Sequence, residues 1–169
     1  MRSVVAVLVL AVGIASGCSK SAPAPGKAVS LERVCDEADH SRVRVSGYLR
    51  YRRGLLSFCS KFGGHETCDL ELSASAEAPP DFDVMHPRTT PEATSAKISV
   101  PVGDAPGEMP ELPAKFKTSD VRVNLPNHGV AIDGSPITVD GTLSVIPSDP
   151  KAPTAPKACF ITVEWATSG

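Results

Sequence analysis

Proline placement sets the strongest limit on what this chain can fold into. Eight of its sixteen prolines fall between Glu77 and Ser119: Pro79, Pro80, Pro87, Pro91, Pro101, Pro106, Pro110 and Pro113. Proline has no backbone N–H and clashes with the helical turn before it, so such a stretch can be neither a long helix nor the interior of a sheet. We read it as a long surface excursion at about 77–119, interrupted by one short extended piece, Lys97 to Val102, as an edge strand. Thirteen glycines and few aromatics go with it, which points to a short-stranded, loop-rich domain and away from a helical bundle.

On either side of the excursion the apolar period is two. From Arg42 to Arg52, Val43, Val45, Gly47 and Leu49 alternate with Arg42, Arg44, Ser46, Tyr48, Arg50 and Arg52, the pattern of a half-buried strand. A second strand near Leu55 to Phe62 and a third, Thr67 to Ser73, flank a turn at Gly63-Gly64 and make a hairpin. Beyond the excursion Val121 to Leu125 alternates and Asp133-Gly134 marks a turn. Ile137, Val139, Gly141, Leu143 and Val145 then alternate with polar residues. A last proline-rich loop, Pro147 to Pro156, leads into Cys159, Ile161, Val163 and Trp165 on one face. Near the start, Ser30 is placed to cap a short helix whose stripe is Leu31, Val34, Cys35 and Ala38.

Two of these strands echo each other. Val43 to Leu49 and Ile137 to Leu143 share the pattern [VI]-x-V-x-G-x-L, with a glycine where a strand would bend or bulge. A glycine-bent first strand, a hairpin, an excursion and further strands resemble the OB-fold, and small envelope lipoproteins with an OB-like domain, over about residues 40–75 and 119–146. The resemblance implies an all-β, OB-like small barrel with one short N-terminal helix and long proline-rich loops. The proline-rich segment stands where an OB-fold usually has its helix, and a β-sandwich is the alternative.

The N-terminus carries an address. Met1-Arg2-Ser3 precedes eleven apolar or small residues, Val4 to Ile14, too few for a membrane span and right for a secretory segment. Ala15-Ser16-Gly17-Cys18 then resembles the lipobox of bacterial lipoproteins, with Ala15 in place of the usual leucine. The resemblance implies cleavage before Cys18, acylation of Cys18 and a mature chain held on a membrane. Ser19, not Asp, comes after the cysteine, which the same family associates with delivery to the outer membrane, facing the periplasm. Residues 1–17 are then a signal peptide, 18–29 the lipidated cysteine and a tether, and 30–169 a single β-rich domain. The tether, Ser19 to Ala28, is small, polar and proline-punctuated, and reads as extended coil of at most about 30 Å. Removing 1–17 leaves 152 of the 169 residues, and loss of Arg2 takes the formal charge from −2 to −3. A chain that size can bury one modest core, and its charge carries no signature of nucleic-acid binding.

With Cys18 assigned to lipid, Cys35, Cys59, Cys68 and Cys159 remain, an even set that in an exported chain reads as two disulfides with three possible connectivities. Cys59 and Cys68 bracket the hairpin turn, while Cys35 and Cys159 lie on buried stripes near the domain's two ends. We favour Cys59–Cys68 with Cys35–Cys159. Strand parity complicates the first pair: either Leu55, Ser57 and Cys59 form the inner face or a bulge intervenes.

The competing chemistry is thin. Cys59, His65 and Cys68 are close enough to bind a metal as thiolates and imidazole, but an exported chain favours oxidised cysteines and structural zinc wants four ligands. Met85-His86 lacks partners, and Asp81 and Asp83 sit in the excursion. His40, His65, His86 and His128 fall at loops or element ends. Neither a nucleophile elbow nor a metalloprotease or phosphate-loop motif occurs, so we expect no enzyme, cofactor or metal site. One constellation stands out: the outward face of the first strand reads Arg42, Arg44, Ser46, Tyr48, Arg50, Arg52, with Tyr51 and Arg53 beside it. No Asp or Glu occurs between residues 40 and 65. Guanidinium groups interleaved with tyrosine suit anionic ligands, unless acids from elsewhere balance them. The expected partners are a membrane, through the lipid, and either envelope proteins or anionic envelope polymers.

Overall fold

The computed structural model describes residues 21–51, 59–62, 64–77, 95–146 and 158–169. Its strands are β1 (Lys27–Ala28), β2 (Arg42–Arg50), β3 (Cys59–Phe62), β4 (His65–Ser73), β5 (Ser95–Pro101), β6 (Arg122–Asn124), β7 (Val130–Ile132), β8 (Pro136–Ile146) and β9 (Ala158–Ser168). The chain is mainly β, as its alternation requires. Seven strands form one sheet in the order β1-β2-β8-β9-β5-β4-β3, and β6 and β7 form a separate two-stranded ribbon. Because β2 pairs with β4 as well as with β8, the neighbours β2, β8, β9, β5 and β4 return to their starting point. The β5–β9 and β1–β2 pairs are parallel. All other pairs are antiparallel.

The core collects the inward side chains of the closed set. Val43, Val45 and Leu49 come from β2, Leu70 and Leu72 from β4, Ile98 and Val100 from β5, Ile137, Val139 and Leu143 from β8, and Ile161 and Val163 from β9. Each fully buried side chain of this kind contributes on the order of 1.5–3 kcal/mol by leaving water.

The two echoing segments pair with each other. Val43 lies opposite Gly141, Val45 opposite Val139 and Gly47 opposite Ile137, so each glycine faces the first residue of the other copy. Both glycines answer close approaches. A Cβ on Gly141 would overlap the Thr162 carbonyl of β9, and one on Gly47 would lie 2.9 Å from the Ser73 carbonyl and 3.0 Å from Leu31 Cδ1. These are the points at which a strand crosses tightly over its neighbour.

Several expectations are corrected. The helix at Leu31–Ala38 is only a 3-10 turn, Val34–Asp36, with no side-chain cap from Ser30. Its surroundings explain this: the Val29 N–H is already given to the Arg44 carbonyl at 3.0 Å, and Glu37 is extended. About eight residues are too few for a helix to hold against such ties. Part of the stretch expected to be extended coil, Lys27–Ala28, is a strand. The piece expected at the edge is interior, since β5 pairs with β4 on one side and β9 on the other. Its donors are intact because Pro101 is its last residue.

The chain beyond β5 is not merely surface. Met109 is completely buried, with Val121, Val123 and Ala131 beside it in the core. The backbone there is satisfied by its own turns. Glu108 N–H donates to the Ala105 carbonyl at 2.9 Å across Pro106-Gly107, with Gly107 at φ 86°, a turn that uses proline where no donor is needed. Asn124 N–H then donates to the Glu108 carbonyl at 2.8 Å, tying the turn to β6. Finally, Trp165 does not share a face with Val163. Gly141 pairs with Val163 but Asp140 pairs with Trp165, so a bulge at Glu164 reverses the alternation. The signal segment with Cys18, the stretch 52–58, the excursion from 78 to 94 (with Pro79, Pro80, Asp81, Asp83, Met85, His86, Pro87 and Pro91) and the Pro147–Pro156 loop lie outside the described residues.

Candidate functional site

The site indicated by the sequence is the outward face of β2, and its charges are matched. Arg44 lies directly opposite Asp140 of β8. Its Nε donates to the two Asp140 carboxylate oxygens at 3.1 and 3.0 Å, and its Nη2 donates at 2.7 Å, a forked pair. The Asp140 side chain is only 3% exposed. The hydrogen bond to Asp140, followed by the nearby charge and against some desolvation, raises the Arg44 guanidinium above its already high pKa. Its charge is therefore fixed. Arg42 Nη2 lies 2.9 Å from Glu164 Oε2, and Thr142 Oγ1 donates to the other oxygen of Glu164 at 2.6 Å. Glu164 sits at the bulge in β9.

Arg50 is not on an open face. It is buried, donating from Nη1 to the Ala76 carbonyl at 2.7 Å, with Nη2 3.6 Å from Asp133. Asp133 also accepts the Tyr51 N–H at 2.8 Å, so it binds the end of β2 at two points. Ser46 and Thr138 share a hydroxyl hydrogen bond of 2.8 Å, and Tyr48 is half-buried nearby. Arg52 and Arg53 lie outside the described residues. Alongside runs an open groove of about 720 Å³, lined by Val29, Leu31, Arg44, Tyr48 and Ile137 among others.

The structure thus brings together Arg42, Arg44, Tyr48 and Arg50 on one strand but gives each arginine a carboxylate. Those acids, Glu164, Asp140 and Asp133, are the residues that reading the sequence missed. Asp140 had a signal: pairing the two echoing motifs antiparallel puts it opposite Arg44. Glu164 had a weaker one: alternation sets it on the outward face with Thr162, but the register that brings it to Arg42 is not in the sequence.

The cysteines join Cys35 to Cys159 and Cys59 to Cys68, the favoured connectivity. Cys59 sits directly opposite buried Cys68 in the hairpin register, which answers the parity question at that position. Both sulfurs are spent there, so neither can act with His65 as a metal ligand. Among the described residues no group of His, Cys, Asp and Glu is placed to hold a metal ion. His40, His65 and His128 are all exposed. Among the described residues no helix is long and apolar enough to cross a membrane. The sequence matches no protein-family model and no curated protein.

Proposed function

We propose that this chain is an exported, lipid-anchored cell-envelope protein whose OB-like barrel serves as a non-enzymatic binding or assembly module. Cysteine pairing carries the reading. Four of the five cysteines are joined in two disulfides, so Cys18 is the one left over, and it stands where the apolar N-terminal run ends in a lipobox-like tetrapeptide. Two disulfides suit an oxidising, extracytoplasmic compartment. Ser19 after the cysteine suits outer-membrane delivery.

Strand order supports the OB-like part. Taken in chain order, the five strands of the closed set run 1-2-3-5-4 and back to 1, a Greek-key succession in which the third and fifth are parallel. The segment from Val102 to Ile132, with buried Met109, occupies the place of the usual helix.

Charge matching on β2 favours protein assembly over capture of an anion, because a phosphate would have to displace Asp140, Glu164 or Asp133 from its arginine. It also favours no nucleic-acid partner. The reading is tested by Cys18→Ser in the native envelope. The variant is expected to accumulate as unprocessed precursor without incorporating labelled palmitate. Normal processing with label retained would overturn the anchor.

A further inference from the structure

The N-terminal segment does more than lead into the domain. Gly26 N–H donates to Asp140 Oδ1 at 2.8 Å, using the same carboxylate that grips Arg44. Lys27 and Ala28 then pair in parallel with Val43 and Arg44, and Lys27 Nζ reaches both oxygens of Glu37 at 2.9 and 2.7 Å. Contact is so close at Gly26 that a Cβ there would overlap the Val43 backbone. A nearly buried carboxylate therefore ends the tether at residue 26.

We propose that Asp140 latches the tether onto β2 and thereby holds the β1–β2 side of the domain against a lipid surface. The second half rests on the lipid-anchor reading. Its argument is one of reach. Cys18 to Pro25 is eight residues, a reach of at most about 25 Å. A nine-residue strand such as β2 spans about 30 Å, so half-way round the domain is about 45 Å. The latched tether cannot pass round to the far side. Unlatched, with the Val29–Arg44 bond released as well, the chain would run free to the residue before Val34, which is completely buried. Those sixteen residues reach about 50 Å, enough to let the domain turn over. Because Lys27, Arg42 and Arg44 all have carboxylate partners, tether length and not headgroup charge sets the orientation.

Two variants of the full chain test this. Gly26→Val blocks the close approach without touching the charges, and Asp140→Ala removes the acceptor. Amide hydrogen exchange in detergent micelles should find Gly26 and Val29 protected in the native protein. Each variant should reduce that protection at least tenfold while Val45 and Val139 stay protected, which reports an intact sheet. Unprotected Gly26 and Val29 in the native protein, or unchanged protection in both variants, would overturn the latch. On phosphatidylcholine vesicles carrying a spin-labelled headgroup, relaxation of Arg42 to Arg44 should exceed that of Asp69 and Lys97 at least threefold. The contrast should shrink in Gly26→Val and persist when phosphatidylglycerol is added. Equal relaxation on both sides, or a contrast that appears only with phosphatidylglycerol, would overturn the membrane-facing assignment. A protein that does not stay on vesicles at all would count against the anchor, and the exchange measurement would still decide the latch.

Discussion

The two echoing strands make an instructive pair. Val43–Leu49 and Ile137–Leu143 share a pattern, lie antiparallel on each other, and place their glycines symmetrically about Val45 and Val139. Their outward residues differ. β2 presents Arg42, Arg44 and Ser46 where β8 presents Thr142, Asp140 and Thr138 in the same rows. One strand therefore supplies the cations of a cross-strand ladder and the other supplies an acid and hydroxyls. Opposed charges in register are worth up to roughly 1 kcal/mol when exposed, and a shared, shielded carboxylate such as Asp140 binds more tightly. A run of arginines that reads as a ligand-binding face is thus half of an internal match.

The strongest test of this comparison is to cut what holds the surroundings of the two strands together. Cys35 belongs to the turn before β2, and Cys159 to β9, the partner of β8. Replacing both by Ala should cost about 5 kcal/mol, because the bridge closes a loop with a sequence separation of 124. Replacing Cys59 and Cys68, separated by 9, should cost about 2.5 kcal/mol. Urea denaturation of the two double variants would reveal the ranking, and equal losses would mean that loop closure is not what the long bridge contributes.

The glycines come next. Gly141→Ala meets a backbone carbonyl on a central strand and should cost about 3 kcal/mol. Gly47→Ala meets a backbone carbonyl less closely, and the tip of Leu31, which can move, so about 1 kcal/mol is expected. Thermal melts showing the reverse order would break the symmetry argument.

The smallest effect is electrostatic and lies where β8 runs past the β2 motif. Asp39 accepts the Val145 N–H at 2.9 Å, and that bond is the main reason its carboxyl is lowered from 3.8, with desolvation opposing and His40 assisting. A depressed carboxylate contributes stability above its unfolded pKa and loses it as pH falls through the lower, folded value. Protection of the Val145 amide should hold at neutral pH and fade only in acid, below about pH 4. Asp39→Asn should remove the pH dependence, and a Val145 amide that fades equally in both proteins would sink the assignment.

Much of this architecture is visible in the residues alone. Period-two alternation marks β2, β4, β8 and β9, and Gly134 at φ 83° is the turn that Asp133-Gly134 announces. The even cysteine count, the hairpin turn that Cys59 and Cys68 bracket, and the buried stripes of Cys35 and Cys159 lead to the favoured pairing. These succeed because a strand's faces are set by a period of two in the chain itself. The face of β2 is less visible. Its acids come from Asp133, Asp140 and Glu164, more than eighty residues along the chain. Nothing local to Arg42 or Arg44 records them.

Residue order alone makes the chain β-rich, rules a long helix out of its proline-rich stretch, and leaves four cysteines as a balanced set beside Cys18. Those properties come from backbone stereochemistry and residue count. It takes the folded chain to show that Arg42, Arg44 and Arg50 of β2 face carboxylates, that Met109 is buried within a proline-rich stretch, and that Gly26 is held by Asp140. Each depends on which distant segments share a register, as when β9 brings Glu164 to Arg42 across the sheet.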